Sequence, residues 1–477
     1  MKSLHLLILS SILFFSACDE HQQTTCVESD KFVMRGDTCL IVDGDTIHKP
    51  TTVDPSYKYH LYLDKYHCCL NQIRSLSLDK KYVPQASLNR LIEFKNLQFL
   101  ALVGYDSLPK EIGQLTQLKS LRIVNYEGTI FIPNTIQDLH NLTQVDVLAN
   151  KFPFNIMEIP HLTDLRTNGI HSQEYFPNDI SALKKIKKLD VGYSTVFSKQ
   201  ITQLKNLTHL KFRSHANKKN DSIFVIPTEI NKLQNLEYFD LTSHELDTLP
   251  ESIGQLTNLK ELHLPYLKKA PTSLTKLKKL RSLKITRNQQ FPMKGLARLL
   301  SKINSLESIT YHQEDYMDLE KLSKALQNLP SLSLFDIRGN FAMLPHQIFN
   351  KNLRELTIQA PTITTLPNGI FELKQLNKLS INLTKISGIP PEIQNLTALK
   401  SLNLSYNRIR QLPPEIGYLK NLVTFKIWHN QLTSLPNEIQ HLKKLEYLDI
   451  SYNKLDYEGI LSNLKQRLPQ LEVNIKQ

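Results

Sequence analysis

Apolar positions along this chain restart themselves at a fixed spacing. Between Leu399 and Asn453 the sequence runs LKSLNLSYN, LVTFKIWHN and LEYLDISYN at corresponding places. Leu399, Leu402, Leu404 and Asn407 are thus matched by Leu422, Phe425, Ile427 and Asn430, then by Leu445, Leu448, Ile450 and Asn453, a period of 23 residues. A repeat of that length predicts a solenoid of stacked coils. Within each coil, Leu402-x-Leu404 alternates as a short strand that points both leucines into a shared core. Asn407 predicts a turn, its amide bonding main-chain groups that no ladder reaches. Pro413 sets φ where the return segment begins, and Ile416 and Leu419, three apart, close the core from behind. One coil cannot bury that face alone, so the coils must stack.

The pattern L-x-x-L-x-L-x-x-N followed by L-P-x-x-I resembles the leucine-rich-repeat family, of the bacterial and plant-like short-repeat type. The resemblance implies an α/β leucine-rich-repeat solenoid: a curved horseshoe with a parallel β-sheet on the concave face and short helical or irregular segments on the convex face. Partners of such proteins bind the concave face. Coil starts recur from Ile73 to Leu445, and the Leu-Pro element recurs from Leu108-Pro109 to Leu435-Pro436. Departures from the period predict local changes. The polar stretch 215–221 reads as a protruding loop. Leu319, Leu322, Leu326 and Leu329 predict a true helix in place of the missing Pro element, and Leu461, Leu464 and Leu468 another. Leu471, Val473 and Ile475 predict a closing edge strand.

Ahead of the repeats the pattern is different. Residues 1–17 carry one lysine, an apolar run from Leu4 to Phe15 and then small residues, the layout of a signal peptide too short to remain as a spanning helix. Phe15-Ser16-Ala17-Cys18 resembles the bacterial lipoprotein lipobox, which implies lipidation of Cys18 and a membrane anchor; an ordinary secretory signal cut near Ala17 is the alternative. Asp19-Glu20 resembles the surface-export signal of Bacteroidetes-type lipoproteins, implying an outer-membrane, surface-exposed protein of the bacterial cell envelope, whereas under enterobacterial sorting the same Asp19 implies inner-membrane retention. Residues 18–72 are expected to form a linker and a disulfide-bearing cap, and 73–477 the solenoid, with its terminal cap from about 455. Cys26, Cys39, Cys68 and Cys69 are disulfide candidates in an exported chain, with three pairings open. Cys68 and Cys69, being adjacent, are expected to reach different partners. Their spacing matches no zinc pattern. Runs at 32–34 and 40–42 predict a hairpin over the first solenoid edge. Arg35-Gly36-Asp37 and Asp43-Gly44-Asp45 read as turns, not as an adhesion tripeptide or a calcium loop.

Alternation predicts that the third, fifth, seventh and eighth positions of each coil face outward. The fifth-position column, Arg122, Asp146, Arg166, Asp190, Lys211, Asp240, His263 and Lys284, mostly alternates in charge, as a self-neutralising ladder does. The last coils differ, with Tyr406, His429 and Tyr452 at position eight, the chain's single tryptophan Trp428 at seven and Tyr447 at three. Tyr406, Lys426, Trp428, His429, Tyr447 and Tyr452 are therefore the candidate ligand-binding residues, since exposed aromatics anchor interfaces and stack on sugars. A weaker cluster is Tyr193, His209, Arg213, Tyr238 and Tyr266.

The formal net charge of +13 comes largely from lysines at coil edges, such as Lys184, Lys185, Lys443 and Lys444. No recognition motif accompanies them, so no nucleic-acid partner is expected. No nucleophile elbow, phosphate-cradling loop or His-Glu metal motif is present, so neither catalysis nor a cofactor or metal is expected. The sequence reads as a non-catalytic binding protein for a protein or glycan ligand, with a structural spacer or self-assembling scaffold as the alternative.

Overall fold

The computed structural model describes residues 31–35, 38–41, 70 and 73–476, apart from 127, 169–174, 193–195, 214–223, 243–245, 266, 270, 287–292, 317–318 and 342. The signal segment 1–17, Cys18, Cys26, Cys68, Cys69, the turn at Asp43-Gly44-Asp45 and the polar loop 215–221 lie outside the described residues, as do Tyr193 and Tyr266. The chain divides into two compact units, Met1–Ser222 and Ile223–Gln477.

In the first unit Lys31–Arg35 pairs antiparallel with Thr38–Ile41 and parallel with Ser75–Asp79, so the expected hairpin sits on the first repeat strand. From there each strand pairs in parallel with the next, through Phe99–Val103, Ser120–Asn125, Gln144–Ala149, Asp164–Asn168, Lys188–Gly192 and His209–Phe212. The second unit repeats the scheme from Tyr238–Asp240 to Tyr447–Asp449 and ends with Glu472–Asn474. Register follows the repeat: Ser401, Leu402 and Asn403 lie against Thr424, Phe425 and Lys426, which lie against Tyr447, Leu448 and Asp449. Leu402, Leu404, Phe425, Ile427, Leu448 and Ile450 are all essentially fully buried. Each large apolar side chain so removed from water contributes about 1.5–3 kcal/mol.

The back of each coil is a 3₁₀ turn set by proline. Pro413, at φ −72° and ψ 149°, precedes the 3₁₀ helix Pro414–Tyr418. Ile416 N–H donates to the Pro413 carbonyl at 3.1 Å and Leu419 N–H to the Ile416 carbonyl at 3.2 Å. This tight winding turns Ile416 and Leu419 inward, and both are fully buried. On the rim before each strand, side-chain amides tie coil to coil: Asn421 to the Thr397 carbonyl at 3.0 Å, Asn258 to Gln234 at 2.9 Å and Asn141 to Thr116 at 2.8 Å.

Departures from the period are met by helices. Glu320–Gln327 is the expected α-helix, and Met293–Leu300 is a second that the sequence reading missed although Leu296, Leu299 and Leu300 carry the helical spacing. Tyr457–Arg467 is the expected last helix, capped by the Asp456 side chain on Gly459 N–H, and the closing strand follows it. No helix among the described residues is long and apolar enough to cross a membrane.

Coil spacing at the back leaves no room for a methyl group at one recurring place. A Cβ on Gly417 would lie 2.6 Å from the Glu438 carbonyl oxygen, and one on Gly254 would lie 2.4 Å from that of Ser273. Backbone cannot yield there as a side-chain tip can. Gly417→Ala is expected to destabilise the second unit by about 1–3 kcal/mol. Gly388→Ala, where nothing lies within 4 Å, should be neutral or slightly stabilising. Urea midpoints of the two variants provide the comparison.

Candidate functional site

The open face of the sheet is built differently along the chain. In the first unit Asp146 lies in register between Arg122 and Arg166, with ion-pair distances of 3.4 and 3.5 Å. Burial pushes the Asp146 carboxyl above its ordinary range against the pull of Arg166 and Arg122. Asp190 is held by Arg213, two residues beyond the Lys211 that is its register partner. In the second unit His263 stands between Asp240 at 3.5 Å and Glu261 at 2.7 Å, with Tyr238 edge-on to its ring and donating to Asp240. Farther along, Arg338 forks onto both Asp336 oxygens at 2.9 and 2.7 Å, with His312 at 3.6 Å. Burial works to raise the Asp336 carboxyl, but His312 and the Arg338 fork outweigh it and leave its pKa below the usual value. Arg122, Asp146 and Arg166 pair along the fifth-position column as its alternation predicts, whereas Arg213 and Arg338 reach their carboxylates from the seventh position and Lys284 is in no ion pair among the described residues. Within the weaker cluster, Arg213 and Tyr238 are engaged within the face and His209 meets the Thr208 hydroxyl at 2.9 Å.

The last coils are organised by asparagine. The Asn430 amide donates to the carbonyls of Leu404, Ile427 and Trp428 at 2.9, 3.0 and 3.3 Å, while its oxygen accepts Ile409 N–H at 3.0 Å. Asn407 and Asn453 repeat the arrangement one coil earlier and one later. The residue before each ladder position is left-handed although it is not glycine: Leu383, Tyr406, His429 and Tyr452 have φ of 55°, 56°, 56° and 53°. Such a backbone costs on the order of 1 kcal/mol or more at each place and persists only where its surroundings hold it. Here the asparagine side chain holds one flank. On the other, Tyr406 N–H donates to the Trp428 carbonyl at 3.0 Å and His429 N–H to Ser451 at 2.9 Å.

Left-handed geometry stacks these side chains in a column at the end of the strands. Tyr406 and His429 lie nearly face to face, centroids 4.5 Å apart and planes at 28°. Trp428 meets Tyr406 edge-on at 4.3 Å, and Tyr452 lies 6.4 Å from Trp428 and 6.3 Å from His429. Lys426 sits 5.7 Å from the Tyr447 ring centre. Burial and the Asp449 carboxylate push the Tyr447 phenol above its ordinary range. All six candidate residues thus fall in neighbouring coils, four of them in mutual ring contact. The simple alternation needs correction at position seven. Ser405 and Ser451 are 1% and 2% exposed and Trp428 is half-buried, because the strands end at position five and the chain then turns with its asparagine. Sequence reasoning also missed Leu383, 48% exposed, which begins the column one coil earlier. Its signal was available in the period.

Profiles described as "Leucine-rich repeat region" and "Leucine rich repeat" match residues 192–389 and 397–455. TMV resistance protein N of Nicotiana glutinosa is 27% identical over 205 residues, covering 40% of this chain and 18% of that protein. The volume-regulated anion channel subunit LRRC8B of Homo sapiens is 25% identical over 252 residues, covering 46% and 31%. The chain spans less than a third of the length of these curated relatives. Among solved structures, a leucine-rich-repeat protein of Leptospira interrogans is 27% identical with a TM-score of 0.56, over 82% of this chain and 98% of that one. The Drosophila Toll–Spatzle complex contains a chain 16% identical at a TM-score of 0.58, over 94% and 64%, a likeness of fold alone. Among the described residues no group of three or more His, Cys, Asp or Glu could hold a metal ion.

Asn430→Ala removes the partner of three carbonyls and one N–H and is expected to cost about 3 kcal/mol, read as a lowered urea midpoint. Asp336 predicts an acid limb. Its depressed folded pKa contributes stability that is present above the unfolded value of about 3.9 and lost as pH falls through the folded value. Asp336→Asn should flatten that limb in thermal unfolding followed below about pH 4.

Proposed function

From the membership of this chain in the leucine-rich-repeat family, we propose that it is a non-catalytic binding protein of a bacterial cell envelope. In this reading Cys18 carries the lipid anchor, Asp19-Glu20 directs export to the outer surface, and the last coils recognise a protein or glycan ligand. The observation that carries it is the aromatic column. Tyr406, Trp428, His429 and Tyr452 form one contiguous surface with Tyr406 and Tyr452 38% and 46% exposed, whereas Arg122, Asp146 and Arg166, and Arg338 with Asp336, are paired with one another elsewhere on the open face. Clustered aromatics of this kind supply interface anchors, and stacked repeats present extended binding surfaces.

Replacing Trp428, Tyr447 and Tyr452 together by Ala is expected to abolish ligand capture on protein and glycan arrays while circular dichroism stays unchanged. Undiminished capture would remove the site assignment, and a wild-type chain that captures nothing would favour a scaffold. Anchoring has its own measurement: Cys18→Ala should move the protein from the membrane fraction to the soluble one.

A further inference from the structure

The aromatic column has a companion two residues farther along each coil. Lys385, Arg408 and Lys454 occupy the same coil position, with Gln431 between the last two. Their backbones form a ladder of their own: Arg408 N–H donates to the Ile386 carbonyl, Gln431 N–H to Ile409 and Lys454 N–H to Leu432, each at 2.9 Å. All three cations are exposed, and among the described residues none is in an ion pair. This contrasts with the paired Arg122, Asp146 and Arg166 and with the Arg338–Asp336 fork on the sheet.

The cations beside the rings narrow the ligand. Tyr406 and His429 each cover one face of the other, and Trp428 stands edge-on to Tyr406. Beside these partly exposed rings runs the row of exposed cations. Aromatic rings pack well against aliphatic and aromatic side chains, and unpaired cations select carboxylates. Coils lie about 4.8 Å apart, so the three steps from Lys385 to Lys454 match roughly four or five residues of extended chain at about 3.3 Å each.

Resting on the binding role of this aromatic surface, we propose that the edge formed by Tyr406, Trp428, Tyr452, Lys385, Arg408 and Lys454 captures an acidic polypeptide segment. Apolar side chains of the segment pack on the rings, and its carboxylates meet the cations.

Trp428 is the only tryptophan in the chain, so its emission reports on the site directly. The full chain is titrated with a synthetic peptide alternating Glu and Leu, its Lys–Leu counterpart, a thymidine oligonucleotide and a neutral glucan oligosaccharide. Dye-labelled peptide anisotropy serves in parallel for all variants. The Glu–Leu peptide is expected to shift Trp428 emission and to bind less tightly as salt rises. Changing Lys385, Arg408 and Lys454 together to Gln should weaken it about tenfold or more, with the thermal midpoint of unfolding unchanged. The Lys–Leu peptide and the glucan should leave the emission unmoved. No response to Glu–Leu, an equal response to the oligonucleotide, or binding indifferent to the triple Gln change would each overturn the acidic partner. Glucan binding that needs the aromatic residues but not the cations would overturn it while leaving the aromatic surface as the binding site. Ligand capture that survives loss of the aromatic residues would instead remove the site itself.

Discussion

A single coil of this chain has nowhere to put its leucines. Leu402, Leu404, Ile416 and Leu419 point to one interior, and that interior exists only when the next coil lies against it. Everything else follows from how closely coils can be brought together. Glycine at 417 and 254 lets the backs touch, proline before each 3₁₀ turn sets the return path, and asparagine side chains close the carbonyls that parallel pairing leaves open. Stability is therefore a property of neighbours, and a defect in one coil is felt in the coils on either side.

Asparagine links this packing to the surface. By fixing the turn after each short strand, Asn407, Asn430 and Asn453 support a left-handed residue immediately before them. A left-handed backbone suits glycine, yet here it carries tyrosine, histidine and tyrosine, so local strain is spent on holding rings in register. The scaffold that buries the leucines also lines up the aromatics. Where the face instead carries Arg122, Asp146 and Arg166, the same register brings opposite charges together and leaves little for a partner to bind.

Much of the fold was legible from spacing alone because each repeat states the same rule again. Alternation at Leu402 and Leu404 marks the strand, Pro413 marks the return, and the missing Pro element near Leu322 marks a true helix. The helix Met293–Leu300 was overlooked because it follows an irregular coil, where the period no longer says what comes next. At the site, Tyr406, His429 and Tyr452 were legible as a column. Their left-handed backbone was not, since nothing in an isolated Tyr-Asn or His-Asn pair demands φ above zero.

By itself the sequence determined the stacked-coil architecture, the register of the columns and the placement of aromatics in the last coils, because a strict period converts position directly into neighbourhood. Only the tertiary structure decided which outward residues are available. Ser405 and Ser451 turned out buried, Asp190 took Arg213, and Tyr406 stacked on His429 with one face covered. The physical reason is that alternation holds only while the strand lasts. Beyond its fifth position the chain direction is set by hydrogen bonds between coils, which no stretch of one coil contains.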